Sequence, residues 1–152
     1  MRQILGVCLI GLLMVGLTGA AGAEDKVYVG SQACKDCHEK EYEKFSKFSR
    51  KSHSFSNIKK MEKKLTPEEY KGCFQCHTTG YGQAGGFVSE EKTPELKNPG
   101  CEVCHGPGSR HAETGDPYDI ITQMDTDNCT VCHNEARNSE FNFNPLLFGG
   151  AH

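Results

Sequence analysis

Cys34-Lys35-Asp36-Cys37-His38 is the first of four pentapeptides that share one pattern. The other three are Cys73-Phe74-Gln75-Cys76-His77, Cys101-Glu102-Val103-Cys104-His105 and Cys129-Thr130-Val131-Cys132-His133. Each places two cysteines three positions apart and a histidine directly after the second, as in covalent attachment of c-type haem. Two such cysteines on one helical turn can form thioethers with the vinyl groups on one porphyrin edge, and the histidine can then bind the iron. The sequence therefore predicts four haem sites.

Two other uses of cysteine compete with this interpretation. C-x-x-C pairs also bind zinc, and an even number of cysteines in an exported chain also suggests disulfides. Neither use requires a histidine after every second cysteine, and only seven histidines occur in 152 residues. Four coincidences out of four would be roughly a one-in-10⁵ to 10⁶ event. We therefore predict four covalently bound haem c groups, each with its iron.

The histidines divide into two groups. We expect the histidine of each motif to be the proximal iron ligand: His38, His77, His105 and His133. Low-potential c-type haems commonly take a second histidine on the distal side, and three remain for this role: His53, His111 and His152. For each of the three, the alternative is a surface or packing residue. Three histidines for four haems leave one iron without such a partner.

The amino terminus has the features of a secretory signal peptide. Arg2 precedes an apolar run from Ile4 to Leu17, and small residues end in Ala21-Gly22-Ala23. We predict a signal peptide at residues 1–23 and a tetrahaem domain at residues 24–152, exported to the periplasm. The apolar run is short for a retained membrane anchor. Cleavage would remove Cys8 and leave no stable membrane span.

Composition and periodicity predict the fold class. The chain has no Trp and only 36% hydrophobic residues, so haem must supply much of the core of a domain this small. We expect a compact multihaem cytochrome that is mainly α with extensive loops. Residues 39–64 have a helical pattern, Thr66-Pro67-Glu68-Glu69 is a helix start, and the glycine-rich residues 78–87 form a loop. Ser31 and either Asp127 or Asn128 are predicted helix caps.

Charge is distributed unevenly along the predicted mature chain. Residues 24–72 carry twelve Lys and Arg against nine Asp and Glu, whereas residues 73–152 carry four against eleven. Such asymmetry can orient a redox protein during encounter, although an ordinary solvated surface is an equal alternative. We expect redox protein partners, no nucleic-acid partner, and a monomer or weak oligomer.

Three stretches outside the bare motifs carry a family resemblance. They are Gly30 to His38, Cys73 to Phe87, and Gly100 to Gly108 with its Cys-Glu-Val-Cys-His-Gly-Pro-Gly sequence. In these the chain resembles the tetrahaem cytochrome c-554 family. The resemblance implies periplasmic electron transfer, in nitrifiers from hydroxylamine oxidoreductase. It also implies three bis-His haems, a five-coordinate haem on the second motif, and distal roles for His53 and His111.

These observations favour an electron carrier rather than an enzyme. One alternative is a reductase acting on nitric oxide or a similar small molecule at an open, five-coordinate haem. Another is a subunit of a haem filament, in which a terminal ligand such as His152 closes a haem of the neighbouring subunit. Met61 and Met124 are further candidates for an axial position, but Met61 lies on an apolar stripe where packing is the favoured role.

Overall fold

Short helices joined by loops build the part of the chain that the computed structural model describes, residues 26–135 and Asn142. The α-helices within it are α1 (Glu39–Phe48), α2 (Phe55–Lys59), α3 (Pro67–Lys71), α4 (Phe74–His77), α5 (Glu102–His105), α6 (Ser109–Thr114) and α7 (Thr126–Thr130). Single 3₁₀ turns occupy Ser31–Cys34, Arg50–His53, Glu62–Lys64, Pro94–Leu96 and Pro117–Asp119. These residues contain no β-strand, so the predicted class, mainly α with extensive loops, is confirmed.

The single helix expected over residues 39–64 is broken into four pieces. The first break is at Ser49, whose backbone is extended (φ −76°, ψ 122°) and whose Oγ accepts a hydrogen bond from Lys51 N at 3.3 Å. Ser52 Oγ donates to the Ser49 carbonyl oxygen at 2.7 Å. Serine side chains that bond to nearby backbone groups compete with the helical ladder. Phe45, Phe55 and Ile58 of the predicted apolar stripe are buried, whereas Phe48 is exposed, and these serines interrupt the predicted helix.

The predicted start of α3 is confirmed in detail. Thr66 Oγ1 accepts a hydrogen bond from Glu69 N at 3.3 Å, and the Glu69 carboxylate accepts one from Thr66 N at 2.9 Å. This reciprocal capping box satisfies two backbone donors that the helix would otherwise leave unpaired. Helix α3 leads through Gly72 directly into the second cysteine motif.

The other two predicted caps are wrong. Asp125, rather than Asp127 or Asn128, caps α7 by accepting hydrogen bonds from the backbone N–H groups of both of those residues. Asn128 returns a bond by accepting from Asp125 N at 3.0 Å. Ser31 lies inside its 3₁₀ turn, and its Oγ accepts from Cys101 N at 3.0 Å. Ser31 therefore joins two distant motifs instead of capping its own turn.

An apolar cluster forms around the second motif. Its buried members are Phe55, Ile58, Tyr70, Phe74, Phe87 and Leu96. Phe74, inside the motif itself, is the central ring, with centroids 5.0 Å from Tyr70 and 5.4 Å from Phe87 in edge-to-face geometry. Phe45 is the one further buried hydrophobic side chain within the described residues. Protein side chains thus supply a core at the second motif, while the surroundings of the others are more open.

The glycine-rich loop closes over this cluster. Phe87 N donates to the Thr79 carbonyl oxygen at 2.9 Å, and Thr79 N donates to that of Leu96 at 2.8 Å. A Cβ atom at Gly86 would lie 1.7 Å from the Gly80 carbonyl oxygen. The loop can therefore fold back on itself only because residue 86 has no side chain.

No helix in the described ranges is both long and apolar enough to cross a membrane. The predicted signal peptide, residues 1–23, lies outside those ranges, as does the apolar tail that ends in His152.

Candidate functional site

All four cysteine motifs adopt the same backbone turn. In each, the backbone N–H of the histidine donates to the carbonyl oxygen of the first cysteine, at 2.9 to 3.1 Å. The four pairs are His38 with Cys34, His77 with Cys73, His105 with Cys101, and His133 with Cys129. One turn therefore carries both thiols and the imidazole, which is the local geometry that attachment to one porphyrin edge requires.

The first and third motifs are in direct contact. The Cys34 thiol is hydrogen-bonded to Cys101, and this bond lowers the pKa of Cys101 to about 6. The same bond, together with burial, raises the pKa of Cys34. Ser31 holds the two turns together through its bond to Cys101 N. Two motifs that lie 67 positions apart in sequence therefore have adjoining sulfur atoms.

The fourth motif lies between the third and the second. Burial, followed by a hydrogen bond with Cys76, raises the pKa of Cys132 to about 12. Burial also raises the pKa of Cys129, and the next cause is the nearby Cys104. The first and third motifs and the fourth and second motifs thus share a hydrogen bond between cysteines, and Cys104 of the third motif lies near Cys129 of the fourth.

Two of the motif histidines are oriented by backbone carbonyl groups. His77 Nδ1 is 3.2 Å from the carbonyl oxygen of Ser54, and His105 Nδ1 is 2.6 Å from that of Ile121. A carbonyl at Nδ1 fixes the tautomer and leaves Nε2 to bind a metal. His133 is half-buried, and burial together with the charge of Lys51 lowers its pKa. The neutral imidazole, which is the form that binds iron, is favoured there.

His111 lies opposite the proximal histidine of the first motif. The ring centroids of His38 and His111 are 6.1 Å apart, with an interplanar angle of 29°. When two imidazoles bind one metal ion from opposite sides, each metal–nitrogen bond is about 2 Å long. The distance between the two ring centroids is then close to the distance between those of His38 and His111. His111 Nδ1 lies 2.9 Å from the Asp116 carbonyl oxygen, which leaves Nε2 for the metal.

The other distal candidates are placed differently. His53 is exposed, and it is Nε2 that lies 2.9 Å from the Ser46 carbonyl oxygen. To bind iron through Nε2, the ring would have to release that carbonyl. His152 lies outside the described residues. Met61 is 44% exposed, so the expected packing role is wrong.

A cavity of about 310 Å³ joins the first and third motifs. Its walls include cysteine and histidine side chains of both motifs, His111, and apolar groups: Cys34, His38, Tyr42, Phe45, Cys101, His105, His111, Pro117 and Ile120. Thiols, imidazoles with oriented Nε2 atoms and an apolar wall are the groups that bind c-type haem. The donor set therefore fits the cofactor that the motifs predict.

The competing cysteine chemistries, disulfides and zinc, can be compared with the geometry of residues 26–135. All eight motif cysteines are free thiols. Within the same span, no group of three or more His, Cys, Asp or Glu side chains is arranged to hold a metal ion, as a structural zinc site would need.

Sequence reasoning missed one residue of this region. Glu102, at the first variable position of the third motif, is a carboxylate with 2% exposure. It accepts hydrogen bonds from the backbone N–H groups of Val29, Gly30 and Gly108. A Glu in that position has no special meaning in the motif pattern, so its role became visible only from the tertiary contacts.

Comparison with known proteins finds a similar family. Residues 33–106 match the family described as cytochrome c554 and c-prime. This range contains the first three motifs and His53, whereas His111 and the fourth motif follow it. No curated protein and no solved structure matches the chain significantly. Over residues 33–106 the chain is similar to the cytochrome c554 and c-prime family, and this similarity supports c-type haem and electron transfer through it.

Proposed function

We propose that the protein is a periplasmic tetrahaem cytochrome that passes single electrons between redox protein partners. Similarity to that family supports haem-based electron transfer. The finer statement of four haems rests on four motifs that fold into the same turn. Periplasmic location rests on the predicted signal peptide at residues 1–23.

The observation that carries the proposal is the continuity of the attachment sites. Cys34 is hydrogen-bonded to Cys101, and Cys76 is hydrogen-bonded to Cys132. Cys104 lies near enough to Cys129 to raise the pKa of its thiol. Bound haem supplies one-electron redox chemistry at each site. Because every site has a neighbour in the order first, third, fourth, second, an electron that enters at one end has a continuous route to the other.

The residues of the chain control each site through ligation and orientation. Backbone carbonyls beside Nδ1 of His77 and His105 orient these rings and fix which nitrogen carries the proton. His38 and His111 would hold one iron between them, and closed bis-His ligation favours electron transfer over substrate binding. We expect the protein to act as a carrier and not as a dedicated enzyme. The residues that the structure describes offer no observation that favours the reductase or the filament alternative.

The test compares the mature wild-type protein with two double variants. Cys129→Ala with Cys132→Ala removes an internal site of the proposed series, whereas Cys34→Ala with Cys37→Ala removes a terminal one. The intact mass of the wild type should equal residues 24–152 plus four haems, and each variant should carry three. A zinc-loaded wild type, or one with three haems or fewer after full maturation, would contradict the proposal.

Electron redistribution after flash reduction tests the order. Loss of the fourth site should isolate the haem of the second motif, and the kinetic phase that reaches it should disappear. Loss of the first site should leave that phase in place. If the phase persists equally in both variants, the proposed order is wrong.

A further inference from the structure

We propose that Glu102 is a positioning residue whose buried negative charge lowers the reduction potentials of the haems on the first and third motifs. The inference rests on the proposed function, because it presupposes haem at both motifs. It concerns a residue that lines the cavity between these two motifs but occupies neither a cysteine nor a histidine position of them.

Glu102 is buried and bound on both carboxylate oxygens. Its exposure is 2%. Oε1 accepts from Val29 N at 2.9 Å and from Gly108 N at 2.8 Å, and Oε2 accepts from Gly30 N at 2.7 Å. A buried carboxylate is stable only when its oxygens are satisfied in this way.

The three donors come from segments that lead to different parts of the site. Val29 and Gly30 directly precede the turn that carries Cys34. Gly108 directly precedes α6, which carries His111. One side chain of the third motif therefore fixes both the first motif and the imidazole that faces His38.

Two glycines allow the backbone to come close to the Glu102 carboxylate. A Cβ atom at Gly108 would lie 3.2 Å from Glu102 Oε1, so the backbone approaches the carboxylate more closely than most residues would allow. Gly30 has φ +81°, a conformation that L side chains rarely adopt. Both glycines allow amide groups to reach the carboxylate, which indicates a site built around it.

Within the part of the chain that the structure describes, Glu102 has no cationic partner. No Lys or Arg of residues 26–135 forms an ion pair with it; its partners there are backbone dipoles. It is adjacent in sequence to Cys101 and near enough to Cys34 to contribute, after the bond to Cys101 and burial, to raising the pKa of that thiol. Both haems would be attached through sulfur atoms beside this charge. A negative charge in a poorly solvated region favours ferric over ferrous iron.

The decisive variant is Glu102→Gln, studied in the fully loaded protein by spectropotentiometry. Gln has nearly the same shape but removes the charge. It keeps one oxygen that accepts amide hydrogen bonds and replaces the other with an NH2 group that cannot accept one. At a fixed applied potential, the ferric-to-ferrous ratio of two of the four haems should fall about tenfold, which is a rise of about 59 mV for a one-electron couple. The matched control is Glu113→Gln, an exposed glutamate on α6, and it should leave all four potentials unchanged.

A Glu102→Gln protein with four haems and wild-type potentials would overturn the proposal. If this variant does not load four haems, Glu102→Asp decides the matter because it retains the charge. Its potentials are compared with those of Glu102→Asn, which has the same length without the charge: raised potentials in Glu102→Asn alone support the proposal, and equal potentials in the two variants overturn it. Failure of both variants to load would show a purely structural role and would also overturn it. A wild-type protein without haem would instead refute the proposed function, so the two failures are distinguishable.

Discussion

Hydrogen bonds at the imidazole rings distinguish the candidate ligands from one another. His77, His105 and His111 each place Nδ1 beside a backbone carbonyl oxygen, whereas His53 places Nε2 there. A ring nitrogen that is hydrogen-bonded to a carbonyl oxygen is not available to iron. His77, His105 and His111 use Nδ1 for this hydrogen bond, whereas His53 uses Nε2. His111 is therefore the best supported distal ligand among the described residues.

Replacing His111 with Ala should convert one haem from low-spin to high-spin. The iron held by His38 would lose the imidazole whose ring centroid lies 6.1 Å from that of His38. Electron paramagnetic resonance and the optical spectrum of the oxidised protein report this change. The control is Arg110→Ala on the same helix, where the lost contact is an exposed ion pair with Asp119 at 3.0 Å and the spectrum should not change. An unaltered spectrum in His111→Ala would make His111 a surface residue.

Short helices in this protein depend strongly on their ends. Helix α3 has five residues, far fewer than an isolated helix needs in water. Its capping box at Thr66 and its packing through Tyr70 against the apolar cluster compensate for this length. Because α3 leads into the second motif, its stability helps to position that motif.

Removal of the cap should therefore lower global stability. Thr66→Ala deletes the oxygen that accepts from Glu69 N, and we expect the free energy of unfolding to fall by about 1 kcal/mol. Thr66→Ser retains the oxygen and should stay within a few tenths of a kcal/mol of the wild type. Denaturant titration of the loaded protein measures both. Equal losses in the two variants would show that the methyl group of Thr66, and not its oxygen, is important.

At the level of the entire protein, two arrangements affect the exchange of electrons. The first is the series of adjoining motifs, which brings all four attachment sites together. The second is the distribution of charge, which is net positive over residues 24–72 and net negative over residues 73–152. Oppositely charged regions can steer a charged partner into a productive orientation.

Electron transfer with the protein partner should therefore slow as salt is added. Attraction between surface charges is screened beyond about 10 Å at 0.1 M ionic strength, so the bimolecular rate should fall between low and high salt. Stopped-flow reduction by the partner measures this rate, and reduction by a small uncharged reductant serves as the control. A partner rate that is independent of salt would mean that the asymmetry is only solvated surface.

Local patterns in the sequence were sufficient to predict the backbone turn of each motif. The spacing of Cys101, Cys104 and His105 predicts a turn with both thiols and the imidazole, and the structure has that turn, because one helical turn involves only neighbouring residues. The capping box of α3 was predictable for the same reason. The cap predicted at Asp127 or Asn128 was wrong because a nearby polar residue, Asp125, takes that position, and the cap predicted at Ser31 was wrong because its Oγ bonds to Cys101 N in a distant motif.

The sequence by itself determined which residues share a motif: two cysteines and one histidine lie within five residues in each of the four pentapeptides. The tertiary structure alone decided which sites adjoin, as in the contact between Cys34 and Cys101. It also decided that His111 faces His38 and that Glu102 is buried between the segments carrying them. Spacing along the chain specifies which residues share one turn, whereas contacts between distant turns depend on packing and hydrogen bonds that no local pattern encodes.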